Sequence, residues 1–276
     1  MKKIMISIIK SVLFFLGWAI VTSFMPLLNT DNQAIWRLWA EIAPLLTIIA
    51  FTLIFWLTGK KQVKLKLLNR PIKGITIGIF SGGFWLGCTV LILFLFGVIK
   101  FDGKNEVSAI LIWIVSAFIN VVMQELLVRG YLYQMLKYRH NTIVATIVTT
   151  ALFTFMHGGA FEAGVIPVLN VVTMSLLMTV VLEYTESIIA PVIMHAIWNC
   201  VGAIILGGVS LADDYPHLLN ISLHGSDIIS GGLCKIEGSV VVLVINIFLI
   251  IFIYGIKEVE SKHKKLPVSL RDVKGK

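Results

Sequence analysis

Long apolar runs broken by short polar segments dominate the chain. A membrane-spanning helix needs roughly 20 mostly apolar residues. That requirement predicts spans at 5–23, 39–57, 74–99, 108–128, 142–157, 165–183, 187–208 and 238–256. The fifth is short and ends on His157. Helix breakers fall between the runs, at Pro26, the Gly158-Gly159 pair and Pro216. Pro167 and Pro191 fall in first turns, where a missing N–H costs nothing. The expected fold class is all-α: a multi-pass transmembrane helical bundle of about eight spans. No internal repeat or low-complexity tract interrupts it.

The first run needs a second reading. Met1-Lys2-Lys3 before an apolar stretch has the form of a secretory signal peptide, and Val21-Thr22-Ser23 would pass as its cleavage site. The run is long for such a peptide and seven further spans follow it, so an uncleaved first helix is expected.

Composition sharpens the membrane reading. The 276 residues are 58% hydrophobic and 14% charged, with a mean hydropathy of +0.93, against about a quarter charged in a soluble domain. A net charge of +8 would suit nucleic acid, but the basic residues sit in short segments between apolar runs, where they orient a membrane protein. No nucleic-acid partner is expected. With eight spans, 19 of the 23 Lys and Arg residues fall on the side of both termini. Arg37, Lys100, Lys104 and Lys235 fall on the other. Both termini are therefore expected in the cytoplasm. Residues 257–276 read as a basic tail lying against anionic membrane lipid. Cys88, Cys200 and Cys234 are scattered, with neither a disulfide framework nor a CxxC metal spacing.

Ionisable groups inside a bilayer are costly, about 2.5–3.5 kcal/mol each on insertion scales, so each needs a reason. The fourth span carries Ser116, Asn120 and Gln124 at a spacing of four, then Glu125 and Arg129 at the same spacing. The fifth ends with Phe153 and His157, and the seventh carries His195 and Asn199, each pair again four apart and on one helix face. A carboxylate can take a proton from water. Imidazoles from other helices can hold that water, a metal ion or a developing oxyanion, and an asparagine one turn away can fix a tautomer or donate to the oxyanion. The plainer readings are a structural Glu125–Arg129 ion pair, packing roles for Ser116 and Asn120, and a core role for Phe153. Asn170 and Thr173 are candidates to line the same cavity, and Glu183 and Glu186 are expected in a solvated cytoplasmic turn.

Together, Gln124-Glu125-x-x-x-Arg129-Gly130, Phe153-x-x-x-His157 and His195-x-x-x-Asn199 resemble the three motifs of the CPBP intramembrane proteases. That family includes the CAAX prenyl-protein endopeptidases and the bacterial Abi or bacteriocin-immunity proteins. Its pattern is Glu-Glu-x-x-x-Arg, Phe-x-x-x-His and His-x-x-x-Asn or Asp, and the motifs come here in that order on three spans. The resemblance covers about residues 108–205. It divides the chain into N-terminal helices (1–100), a motif-bearing core (101–256) and the tail (257–276). It implies an intramembrane polar cavity where activated water cleaves a peptide or prenyl-protein-like substrate, in a bacterial plasma membrane, with a part in bacteriocin self-immunity as one role. Glu125, Arg129, His157, His195 and Asn199 take the motif positions.

One position departs from the pattern. The first motif glutamate is Gln124, and a carboxamide can orient water but cannot deprotonate it. Either Glu125 is the base, which requires it to face the cavity rather than pair with Arg129, or hydrolysis is lost and the cavity serves a scaffold or a lipid- or peptide-binding partner. Adjacent helical residues point about 100° apart, so the first repair is open. A transporter would predict repeats with discontinuous helices, which are absent from the sequence. The sequence makes no cofactor certain, and zinc-dependent and purely glutamate-driven hydrolysis look the same in it. A divalent metal such as zinc would take His157, His195 and Glu125, since three N/O ligands suffice for a catalytic site. Asp213, Asp214, His217, His224 and Asp227 form a second cation-binding candidate in the outer 209–237 loop, against an ordinary polar loop. Depth adds a condition. Glu125 and His157 meet only if the fourth helix runs well past Arg129, through Tyr131–Lys137, and that extension is expected.

Overall fold

A computed structural model describes residues 2–212 and 214–265. Asp213 lies outside the described residues, as does the chain beyond 265 with Arg271, Lys274 and Lys276 of the expected lipid-facing tail. Six helices are long and apolar enough to cross a membrane: Lys3–Ser23, Gln33–Thr58, Pro71–Leu95, Ile110–Arg139, Val165–Thr185 and Val240–Lys262. Two shorter apolar helices, Thr142–Met156 and Ile189–Ile205, stand where the fifth and seventh spans were expected. Counted in chain order these are the first to eighth helices of an all-α, multi-pass membrane bundle.

Local chemistry sets several ends. Asn32 Oδ1 accepts from Ile35 N (3.1 Å) to open the second helix, and Asn141 Oδ1 accepts from Val144 N (2.9 Å) to open the fifth. Pro71 opens the third at its first turn. The expected third span, drawn to residue 99, stops at Leu95, because Ile99–Lys104 leaves the helix as strand β1. β1 pairs antiparallel with β2, Leu219–Leu223, from Ile99↔Leu223 to Lys104↔Leu219, with an irregularity between Phe101 and Gly103.

The fourth helix extends as expected. It runs to Arg139, but Leu126–Gly130 is wound as a π-turn. Such a turn leaves a carbonyl without its usual helical partner. Gln134 Nε2 donates to Arg129 O at 3.2 Å, and Gln134 Oε1 accepts from Lys66 N at 2.6 Å. The seventh helix changes in the same way, from α-helix over Ile189–Ala196 to π over Ile197–Ile205. The first π segment begins directly after Glu125 and the second two residues past His195.

The fourth helix packs against the second, fifth and seventh, and the seventh also against the third and sixth. The third–seventh contact is close because Gly74, Gly78 and Gly82 present a bare stripe at every fourth residue. A Cβ on Gly78 would stand 2.8 Å from Ile193 Cβ and 3.0 Å from Ala190 O. Overfilling this contact strains backbone on both sides, so Gly78→Val is expected to lose about 1–3 kcal/mol. A thermal melt of the detergent-solubilised protein checks this, with Gly83→Val, which has open space around it, as the control.

Candidate active site

Gln124, His157, His195 and Asn199 line one cavity of about 490 Å³. The fourth, fifth and seventh helices supply these side chains. The cavity's outer wall comes from the segment after the seventh helix, through Ser210, Tyr215, Cys234 and Glu237. That segment is held down by the β1–β2 pair and a Val209↔Lys235 bridge.

Glu125 and Arg129 are completely buried behind the cavity. Arg129 Nη1 donates to both carboxylate oxygens of Glu125, at 3.0 and 2.9 Å. Arg129 Nη2 donates to Ser175 O and Oγ, at 2.8 and 3.0 Å. His195 Nδ1 lies 3.0 Å from Glu125 Oε1. An ion-paired carboxylate only accepts, so this imidazole nitrogen carries the proton and donates it. His157 Nδ1 donates to the Phe153 carbonyl at 2.7 Å by the same reasoning. In the neutral imidazole each of these bonds places the proton on Nδ1 and leaves Nε2 as the acceptor nitrogen.

This geometry bears on two expectations. A base role for Glu125 required it to face the cavity. Instead it is turned away, between Arg129 and His195, and does not line the space. Phe153 is more than core: its ring lies 4.3 Å from that of His157 and 6.1 Å from that of His195, with the Arg129 guanidinium 5.2 Å over its face. It wedges all three groups into place.

Gln124 belongs to a polar chain that leads out of the cavity. Its Nε2 donates to Asn120 Oδ1 (2.6 Å), and Asn120 Nδ2 donates to Glu41 Oε2 (2.7 Å). Glu41 pairs with Arg37 at 3.1 Å and accepts from Tyr215 Oη at 3.3 Å, while Arg37 reaches Asp214 at 3.5 Å. Gln124 Oε1 is left without a partner among the described residues. A buried carbonyl so placed calls for a donor from whatever fills the cavity. Asn120 therefore bridges helices and lines the cavity, whereas Ser116 Oγ merely bonds back to Ile112 O at 2.8 Å.

Sequence reasoning missed Glu41 and Glu237. Glu41 was readable as a carboxylate in an apolar run with Arg37 one turn before it. Glu237 carried a weaker signal, an acid just ahead of the last apolar run. Its Oε1 accepts from Trp198 Nε1 at 2.9 Å and its Oε2 from Ser210 N at 3.3 Å. Asn170 and Thr173 do not line the cavity as expected. Asn170 Nδ2 donates to Glu237 O (2.6 Å) and Ser239 O (2.9 Å), and Thr173 Oγ1 accepts from Asn246 at 2.9 Å. Glu183 and Glu186 are not simply solvated. Glu183 pairs with Lys137 and Lys257, and Glu186 with Lys66 and Arg70. The lysine and arginine partners hold the Glu186 carboxyl below its ordinary range, Lys66 contributing most.

Neither candidate cation site is gathered among the described residues. Among the described residues no group of three His, Cys, Asp or Glu side chains is placed to hold a metal ion. The trio His157, His195 and Glu125 does not converge, because the Glu125 carboxylate and the facing His195 nitrogen bind each other. In the 209–237 loop, Asp214 turns to Arg37, His217 Nε2 meets Asn220 Oδ1 at 3.0 Å, and His224 Nε2 meets Ser222 Oγ at 2.9 Å.

Residues 106–201 match the family model described as Rce1-like, the type II CAAX prenyl endopeptidases. The match agrees with the CPBP resemblance and supports a CAAX-type intramembrane protease family. No curated protein and no solved structure matches the chain.

Proposed function

We propose that this chain, Rce1-like over residues 106–201, is an intramembrane endopeptidase that uses water to cleave a peptide or prenyl-protein-like substrate. One observation carries the reading: two imidazoles from different helices, each tied down at Nδ1, border a single cavity with Nε2 free. Such nitrogens can hold and orient the attacking water, and the Asn199 amide can donate to the oxyanion. Glu125 acts as a positioning residue, fixing the His195 tautomer while Arg129 balances its charge. The cavity volume lies within the roughly 300–1,000 Å³ usual for ligand sites, room for a short stretch of extended substrate.

The charge asymmetry supports cytoplasmic termini, and the family's bacterial branch supports a bacterial plasma membrane and a part in bacteriocin self-immunity. Gln124 favours a second reading, a non-proteolytic scaffold that binds lipid or peptide in the same cavity. The test is purified protein in detergent with a panel of prenylated and unmodified peptides. Wild type is expected to cleave at least one class and the His157→Ala/His195→Ala double variant none. Equal cleavage by both excludes the two imidazoles as its source, and none by wild type across the panel moves the assignment to the scaffold.

A further inference from the structure

The proposed hydrolysis needs a base, and the motif position for one holds Gln124. Three carboxylates stand close to the cavity. Glu125 is enclosed by Arg129 and His195. Glu41 is engaged by Asn120, Arg37 and Tyr215. Glu237 is different. It lines the cavity and, among the described residues, has no ion-pair partner; its neighbour Lys235 donates to Gly207 O at 3.0 Å. Each of its oxygens accepts a single neutral N–H, from Trp198 or Ser210, leaving a lone pair on each for water.

Its placement is rigid and tied to the motif helix. Trp198 lies between His195 and Asn199 in the chain, and its ring is stacked on Trp85 at 4.0 Å between centroids. Asn170 holds the backbone at Glu237 and again at Ser239. We infer that Glu237, supplied by the segment that roofs the cavity, is the water-activating carboxylate of the endopeptidase proposed above and replaces the one lost at Gln124. The inference rests on that reading. Glu237 takes a proton from the cavity water as the water oxygen bonds to the scissile carbonyl carbon and the carbonyl π electrons move to oxygen. On collapse the C–N bond breaks, and the protonated Glu237 returns its proton to the departing amine, so the carboxylate is regenerated.

Burial raises the Glu237 carboxyl to about 7, with the Trp198 and Ser210 N–H groups and Lys235 opposing the rise. That value suits a base working near neutral pH. The other titratable or charged groups bordering the cavity are Arg37, His157, His195, Tyr215 and Cys234. Burial raises the Tyr215 hydroxyl, and burial with the Glu237 charge raises the Cys234 thiol. Both therefore stay protonated where Glu237 titrates.

The test is the pH dependence of kcat for wild type, Glu237→Gln, Glu237→Asp and Trp198→Phe in detergent, each checked for a wild-type melt. Gln keeps an oxygen for the Trp198 N–H, so this variant is expected to fold. The wild-type rate should climb as pH rises through about 7, where Glu237 loses its proton. Glu237→Gln should lower kcat at least roughly 100-fold and abolish that limb, with Glu237→Asp recovering part of the rate. Trp198→Phe removes a donor to the charged carboxylate and should move the limb to higher pH. Active wild type together with an unchanged rate and limb in Glu237→Gln overturns the inference alone. Inactive wild type on every peptide class overturns the endopeptidase reading, and the inference with it.

Discussion

Arg129→Leu is expected to destabilise the protein by about 3–5 kcal/mol, because removing one partner of a buried ion pair strands the other charge without water. Glu125 would keep only the His195 N–H, in a site with no exposure at all. The second effect is on packing, since Ser175 loses both its contacts from Arg129 and the Phe153 ring loses the guanidinium above it. The double variant Glu125→Gln/Arg129→Met is expected to regain much of the loss, since it leaves neither charge behind. Denaturation in detergent or lipid nanodiscs reads both. If the single variant is as stable as wild type, the pair is not a structural centre of the bundle.

The double variant also separates stability from chemistry. The carboxamide introduced by Glu125→Gln would accept a bond from His195 Nδ1 but hold it less firmly than a carboxylate does, so a stable double variant is expected to remain slow. Folding and turnover thus part at Glu125, as a positioning role demands.

The parts of the site visible in the sequence are those set by helix arithmetic. Gln124, His157, His195 and Asn199 each share a helix face with another polar or motif residue, and four-residue spacing announces that without any knowledge of the fold. The extension of the fourth helix was legible for a geometric reason, since Glu125 and His157 could not otherwise share a depth. What stayed hidden depends on contacts distant in the chain. Glu237 reaches the cavity because β1 and β2, more than a hundred residues apart, pair and fold the outer segment inward, and no periodicity carries that. The π-turns after Glu125 and Ala196 break the regular period and so defeat a count based on it. The assignment of Glu125 failed for a related reason. Spacing shows that Glu125 can reach Arg129, but not that His195 will occupy its remaining side. The Gly74, Gly78 and Gly82 stripe was legible in principle, at the small-residue spacing that lets helices approach, yet the partner helix was not.

His195→Ala is expected to lower kcat by at least ~100-fold, with little change in KM if the imidazole acts in the transition state rather than in substrate binding. The variant removes the free Nε2 from the cavity and leaves Glu125 one hydrogen bond short, still neutralised by Arg129. A modest loss in melting temperature is therefore expected beside the large loss in rate. His157→Ala removes the other nitrogen without touching the ion pair, losing its bond to the Phe153 carbonyl and its ring contact, so its large rate loss should come with only a modest loss of stability. Phe153→Leu supplies the intermediate case. Both imidazoles remain but lose the ring that wedges them, and a smaller fall in kcat is expected. Kinetics on a cleaved peptide, read together with melts of the same preparations, check the ordering. A scaffold that only binds in this cavity would show the stability differences without any such ordering of rates. Rate loss out of proportion to stability loss at His157 is therefore the result that most directly separates an enzyme from a binding protein.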